Sequence, residues 1–131
     1  MSVRGIRGAT TSAANTAQAI VAATDRLLRE MIASNGIEPI DLAAVFFTTT
    51  PDLNTEFPAA AARALGWLQV PLLCATEIGV PERLGSCIRV LMLVNTDLPQ
   101  ADVRHVYLEG AARLRPDLCG GETSQAPGTT F

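Results

Sequence analysis

Cys87-Ile88-Arg89-Val90-Leu91-Met92-Leu93-Val94 is the most apolar run of the chain, and one cation interrupts it. Its length and its branched aliphatic content read as a buried β-strand spanning Ser86 to Asn95. The Arg89 guanidinium cannot escape burial by losing its proton, because its pKa is too high. Left unpaired in an apolar setting it would cost several kcal/mol or more. The strand must therefore aim Arg89 at an anion, either a protein carboxylate or a bound ligand. The run alone leaves both open.

Other strands flank it in the sequence. Val3 to Thr11 alternates in character and carries two glycines, which suggest a bulge or a close backbone approach. Leu42 to Thr50 is rich in β-formers, Val70 to Ala75 carries Pro71 near its start, and Val103 to Leu108 makes a fifth strand. Two helices are expected. Asn15 and Gln18 stand at capping-box spacing before Ile20, Thr24, Leu27, Leu28, Met31 and Ile32, a one-faced pattern that Asn35-Gly36 ends. Pro58 opens a short helix through Leu65, closed by Gly66. Pro51 to Asn54 reads as a turn, Gly79 to Gly85 as a loop, and Pro99 to Asp102 as a connection of one helical turn. The order β-α-β-α-β-β-β is α+β or mixed α/β, with helices on one face of a sheet. The pattern stops after Pro116, so the end of the chain is expected to be a mobile tail.

At 131 residues the chain is one domain that can bury a core of its own. Hydrophobic residues make up 48% and charged ones only 18%, which favours burial of further apolar surface between subunits of a homo-oligomer. A net charge of −3 does not suggest nucleic-acid binding. There is no signal-peptide core and no bilayer-length apolar stretch. Cys74, Cys87 and Cys119 are odd in number and widely spaced, so they form no disulfide framework; with no export signal, a cytoplasmic location is expected. One histidine and no C-x-x-C pair argue against a zinc site, and Gly5 and Gly8 match no nucleotide-binding loop.

Arg7 also interrupts apolar surroundings, so two guanidiniums on inner faces suggest a small polyanion, held bidentately. Structural ion pairs are the alternative for each. Glu77, just past a strand, is a general base, a hydrogen-bond acceptor or the mate of Arg89. His105 and Tyr107 share a strand face and read alone as an amphipathic pair. No nucleophile motif accompanies His105. Cys74 and Cys87 read as inert core thiols, and Arg63, Arg113 and Arg115 as solvated cations.

Ordered motifs then connect these residues: Arg4-Gly5-Ile6-Arg7-Gly8-Ala9-Thr10-Thr11, Thr50-Pro51-Asp52-Leu53, Phe57-Pro58-Ala59, Gly66-Trp67, Cys87-Ile88-Arg89-Val90, Arg104-His105-Val106-Tyr107-Leu108-Glu109 and Leu114-Arg115-Pro116-Asp117-Leu118. From Val3 to Leu118 the chain resembles the AroH-type monofunctional chorismate mutases. The resemblance implies a domain over residues 1–118 with a flexible tail over 119–131. It implies a mixed five-stranded sheet with helices on one face, in a chorismate-mutase-like or ferredoxin-like subunit. Three subunits would form a homotrimer with a pseudo-α/β-barrel core and active sites at the interfaces. The implied reaction is the Claisen rearrangement of chorismate to prephenate, on the way to phenylalanine and tyrosine, with no cofactor, metal or covalent intermediate.

By the same resemblance, Arg89 would donate to the ether oxygen and a carboxylate, Arg7 would hold a carboxylate, and Glu77 would accept from the ring hydroxyl. Cys74 would lie beside that hydroxyl and Tyr107 would bind the side-chain carboxylate. Phe57, Ala59 and Leu73 would line the substrate's apolar side and Leu114 would pack near it. Arg63 and Arg115 would sit at the mouth. Three positions depart from the family pattern: Ala60 replaces a lysine, Gly66-Trp67 comes one residue early, and Gly110-Ala111-Ala112-Arg113 replaces a more β-branched stretch.

Overall fold

The computed structural model of the chain describes residues 1–114. Arg115, Cys119 and the expected tail lie outside the described residues. The chain folds into five strands and two α-helices: β1 (Ser2–Thr11), α1 (Ala17–Asn35), β2 (Leu42–Thr49), α2 (Ala59–Ala64), β3 (Leu72–Thr76), β4 (Cys87–Thr96) and β5 (Val106–Tyr107). Single 3-10 turns at Pro39–Asp41, Gln100–Asp102 and Glu109–Arg113 join them. The strands form one mixed sheet in the order β3-β2-β4-β1-β5. The apolar run that carries Arg89 is its central strand, antiparallel to both β1 and β2. The pairs β2–β3 and β1–β5 are parallel. With β4 between β1 and β2, the unit β1-α1-β2 is a split β-α-β; the full order differs from the ferredoxin β-α-β-β-α-β.

Burial along β4 alternates. Ile88, Val90, Met92 and Val94 are fully buried, whereas Arg89, Leu91 and Leu93 are half-buried. The first set faces the helices: Val90, Met92 and Val94 pack with Ile6, Val45, Phe47 and the α1 residues Leu27, Leu28 and Met31. The second set lies on the opposite face. The arginines therefore stand on the face away from the helices. A continuous apolar run cannot distinguish a strand covered by helices on both sides from one covered on a single side.

Register places Phe46 opposite both Leu91 and Leu73, so these side chains share that second face. Leu73 is 58% exposed and Phe46 36%. At one end of the face the turn Glu109–Arg113 folds back, and Ala111 and Leu114 close over Ala9, Cys87 and Tyr107. Among the described residues no helix is long and apolar enough to cross a membrane.

The helix boundaries follow local chemistry. Thr16, not Asn15, caps α1, its hydroxyl accepting from the Ala19 N–H at 3.1 Å. Asn15 is engaged elsewhere: its carbonyl oxygen accepts from the Asn54 N–H and the Thr55 hydroxyl, both at 3.0 Å. Gly36 ends the helix with a φ of 59°, a left-handed cap that favours glycine.

β3 runs from Leu72 to Thr76 because Pro71, lacking an N–H, contributes only its carbonyl, to Val45. β5 is two residues rather than six, since side chains take over the edge of β1. The Gln100 amide bonds both the N–H and the carbonyl of Gly5, at 3.0 and 2.8 Å. Asn35 pins the following segment through the N–H and carbonyl of Arg104.

Gly8 is where α1 meets β1. A Cβ there would lie 2.3 Å from the Met31 sulfur and 3.2 Å from Leu27 Cδ1, both residues being fully buried. Gly8→Ala should therefore destabilise by about 1–3 kcal/mol through overpacking. The check is denaturant unfolding followed by far-UV circular dichroism.

Candidate active site

Arg89 leaves the central strand between two small neighbours, Ala9 on β1 and Thr48 on β2. They make room for the guanidinium on the face away from the helices. Its Nε lies 2.8 Å from Glu77 Oε2, with the side chains 15% and 19% exposed. The close approach is an ion pair more than an aligned hydrogen bond, since the N–H does not point along the contact. Glu77 reaches this position because its own N–H donates to the Thr49 carbonyl at 2.8 Å, carrying the β2–β3 ladder one residue past β3. Glu77, Arg89 and Leu114 line one cleft of about 1160 Å³ together with Asp52, Arg83 and Arg113.

Asp52 ties that cleft together. Its carboxylate accepts from the Ser86 N–H at 2.8 Å and the Ser86 hydroxyl at 3.1 Å. Hydrogen bonds from the Thr50 side chain first, and from Ser86, hold its carboxyl below the ordinary carboxylate value. Ser86 has a φ of 50°, so the chain enters β4 through a strained turn that this carboxylate clamps. Thr50 adds a second clamp: its N–H donates to the Cys87 carbonyl, and its hydroxyl accepts from the Cys87 N–H at 2.9 Å.

Arg7 and Tyr107 occupy the same sheet face. Ala9 pairs with Arg89 on one side and Tyr107 on the other, so Tyr107, Ala9 and Arg89 form a row across three strands. Arg7 lies two residues along β1 from that row, a diagonal neighbour of Arg89. The Arg7 N–H donates to His105 Nδ1 at 2.9 Å, and its Nη2 lies 3.4 Å from His105 Nε2. Tyr107 is buried, with 6% exposure.

The remaining sequence-selected residues gather elsewhere. Phe57 and Cys74 line a separate cleft of about 290 Å³ beside α2 and β3. Ala59 is buried at the start of α2, Arg63 is exposed at its end, and Leu73 projects from edge strand β3. The larger and smaller clefts share only Pro51 and Thr76. Burial raises the Cys74 thiol, against smaller opposing effects of the Ala59 N–H and Arg63. Burial likewise pushes Cys87 up to about 11. Both thiols are therefore protonated at neutral pH, and neither is an activated nucleophile.

Residues 3–118 match the family Chorismate mutase type I. The chain belongs to this family. It is 57% identical over 117 residues to chorismate mutase AroH of Thermus thermophilus, covering 88% of this chain and 96% of that one. It is 48% identical over 119 residues to chorismate mutase AroH of Bacillus subtilis, covering 90% and 94%. Its fold is similar to a solved chorismate mutase from Clostridium thermocellum, with a TM-score of 0.82, 52% identity and coverage of 83% of this chain and 97% of that one. Membership makes the chain an isomerase.

In this type I mutase, sequence reasoning quoted Asp52 only as part of a motif and treated Arg113 as a solvated cation. Asp52 acts on residues far along the chain, and Arg113 sits in a 3-10 turn where strand periodicity has no meaning. The Asp52 carboxyl titrates below its ordinary value in the fold. The stability it contributes is thus fully present above that value and lost as pH falls through the lowered one. The stabilities of the wild type and Asp52→Asn should differ at neutral pH and converge as the pH falls below about 4. The variant should show the shallower acid slope and the lower stability at neutral pH.

Proposed function

We propose that the chain rearranges chorismate to prephenate at a site centred on Arg89, on the route to phenylalanine and tyrosine. The observation that carries this reading is the Arg89–Glu77 pair at 2.8 Å, set in a cleft on the sheet face that also bears Arg7 and Tyr107. A Claisen rearrangement needs no nucleophile. It needs the enolpyruvyl side chain held over the ring, and a donor where the breaking ether bond leaves negative charge. Arg89 is that donor, toward the ether oxygen and one carboxylate. Its charge is permanent, and the small residues beside it leave the guanidinium room. Arg7 and Tyr107 hold carboxylates on the same face, and Glu77 accepts from the ring hydroxyl.

Glu77 has a second part in this scheme. Without substrate it neutralises Arg89, so the half-buried cation is never uncompensated. When the substrate's carboxylate and ether oxygen arrive, they add to the ion pair. The donor is therefore already oriented before reaction, and little reorganisation remains for the chemical step. Arg89→Ala should lower kcat by roughly 10²–10³-fold, about 3–4 kcal/mol, while the assembly stays intact. Continuous absorbance assay of chorismate loss checks this, and near-normal kcat would defeat the role. Well-folded wild type without turnover would defeat the function. A non-catalytic anion-binding module would bind a dicarboxylate yet leave chorismate unchanged.

The working site is composite in this reading. Phe57, Ala59, Arg63, Leu73 and Cys74 cluster at the α2–β3 side, away from the cleft of Arg89. The uncovered apolar face with Phe46, Leu73, Leu91 and Leu93 needs a partner. A cytoplasmic homotrimer whose sheets enclose a barrel-like core satisfies both, bringing the α2–β3 side of one subunit against the Arg89 cleft of the next. Light scattering should report about three times the 13.8 kDa chain mass. Arg89→Ala and Arg63→Ala subunits, each impaired alone, should regain activity when refolded together, because some interfaces then combine two intact halves. No recovery from mixed trimers would place both residues in one subunit's site.

A further inference from the structure

We propose that His105 is a positioning residue for Arg7, presenting that guanidinium to the substrate's carboxylate. The inference rests on Arg7 being an anchor in the site described above. β1 runs beside β5, but only Gly8 and Ala9 pair with it as a ladder. At Gly5 the side-chain amide of Gln100 replaces the missing strand. Between these two places stands Arg7, whose N–H donates to His105 Nδ1 at 2.9 Å. An imidazole thus fills a backbone carbonyl's place in the ladder, at the residue whose side chain the site requires.

The geometry settles which ring nitrogen carries the proton. A backbone N–H can only donate, so Nδ1 must present its lone pair, and the neutral ring is protonated at Nε2. Nε2 lies 3.4 Å from Arg7 Nη2. With a proton on each nitrogen, this contact is packing, not a hydrogen bond. The ring therefore holds the Arg7 backbone through Nδ1, and its edge lies against the guanidinium. Arg7 is a diagonal neighbour of Arg89 on the same face, and two like charges there repel. The ring edge occupies the space on its own side of Arg7 and limits the positions open to its head group. An aliphatic side chain would lose the acceptor, whereas asparagine would restore one at the position of Nδ1.

The test is a double-mutant cycle on the full-length enzyme, with steady-state kinetics on chorismate and thermal unfolding of every variant. His105→Leu should raise KM on the order of tenfold, the effect of one unmade part-buried hydrogen bond, with kcat changed much less. His105→Asn should recover most of that loss. Arg7→Ala should raise KM further, and Arg7→Ala combined with His105→Leu should be no worse than Arg7→Ala alone, because His105 acts through Arg7. Should His105→Leu fail to fold, His105→Gln keeps a polar side chain but displaces its acceptor, and the same KM rise is expected. An additive double mutant, or a loss in His105→Leu that His105→Asn does not recover, would overturn the inference. So would a normal KM in the His105 variants beside an impaired Arg7→Ala, and that outcome leaves the site reading standing. A normal Arg7→Ala would remove Arg7 from the site and the inference with it.

Discussion

A guanidinium that cannot shed its proton, planted on the central strand of a sheet, imposes a condition on everything around it. Arg89 has small neighbours on both adjacent strands, so it can leave the sheet plane. An acid must stand within reach, and Glu77 does because the backbone beyond β3 stays tied to Thr49. The turn into β4 must hold its register, and Asp52 clamps it at Ser86. These features lie far apart in the chain, yet they meet one electrostatic requirement: a half-buried cation in low dielectric needs compensation and a fixed direction.

The sheet's two faces divide the work. The face under α1 and α2 is a packed core of fully buried aliphatic side chains, and it makes β4 rigid. The opposite face carries Arg7, Arg89 and Tyr107 beside exposed apolar residues. In the proposed trimer, a polar site beside this apolar surface would be dried on assembly, and exclusion of water would strengthen each charged contact.

Much of this could be read from the residues. All five strands and both helices were legible, because alternation, β-branched content and the Gly36 stop are local signals. The boundaries that moved did so through distant contacts. β5 shrank because Gln100, Asn35 and His105 side chains took over backbone hydrogen bonds across long sequence separations. Thr16 displaced Asn15 as the helix cap because Asn54 and Thr55 claimed Asn15. At the site, Arg89 and Arg7 stood out by interrupting apolar surroundings, Glu77 by its place just past a strand, and Tyr107 only through a motif of the family resemblance. Asp52 drew no attention of its own, since an aspartate in a turn looks the same whether or not it clamps another strand.

The amino-acid sequence by itself determined the family, the order of elements and the demand that Arg89 meet an anion, since these depend on residue identity and local periodicity. Only the tertiary structure decided which face of β4 the arginine occupies, and that Glu77 meets it at 2.8 Å. It alone separated the Arg89 cleft from the cleft of Phe57 and Cys74. The physical reason is that a period of two assigns residues to alternate faces without saying which face the helices will cover. That choice is made by packing between segments tens of residues apart, and the chemistry of the site follows from it.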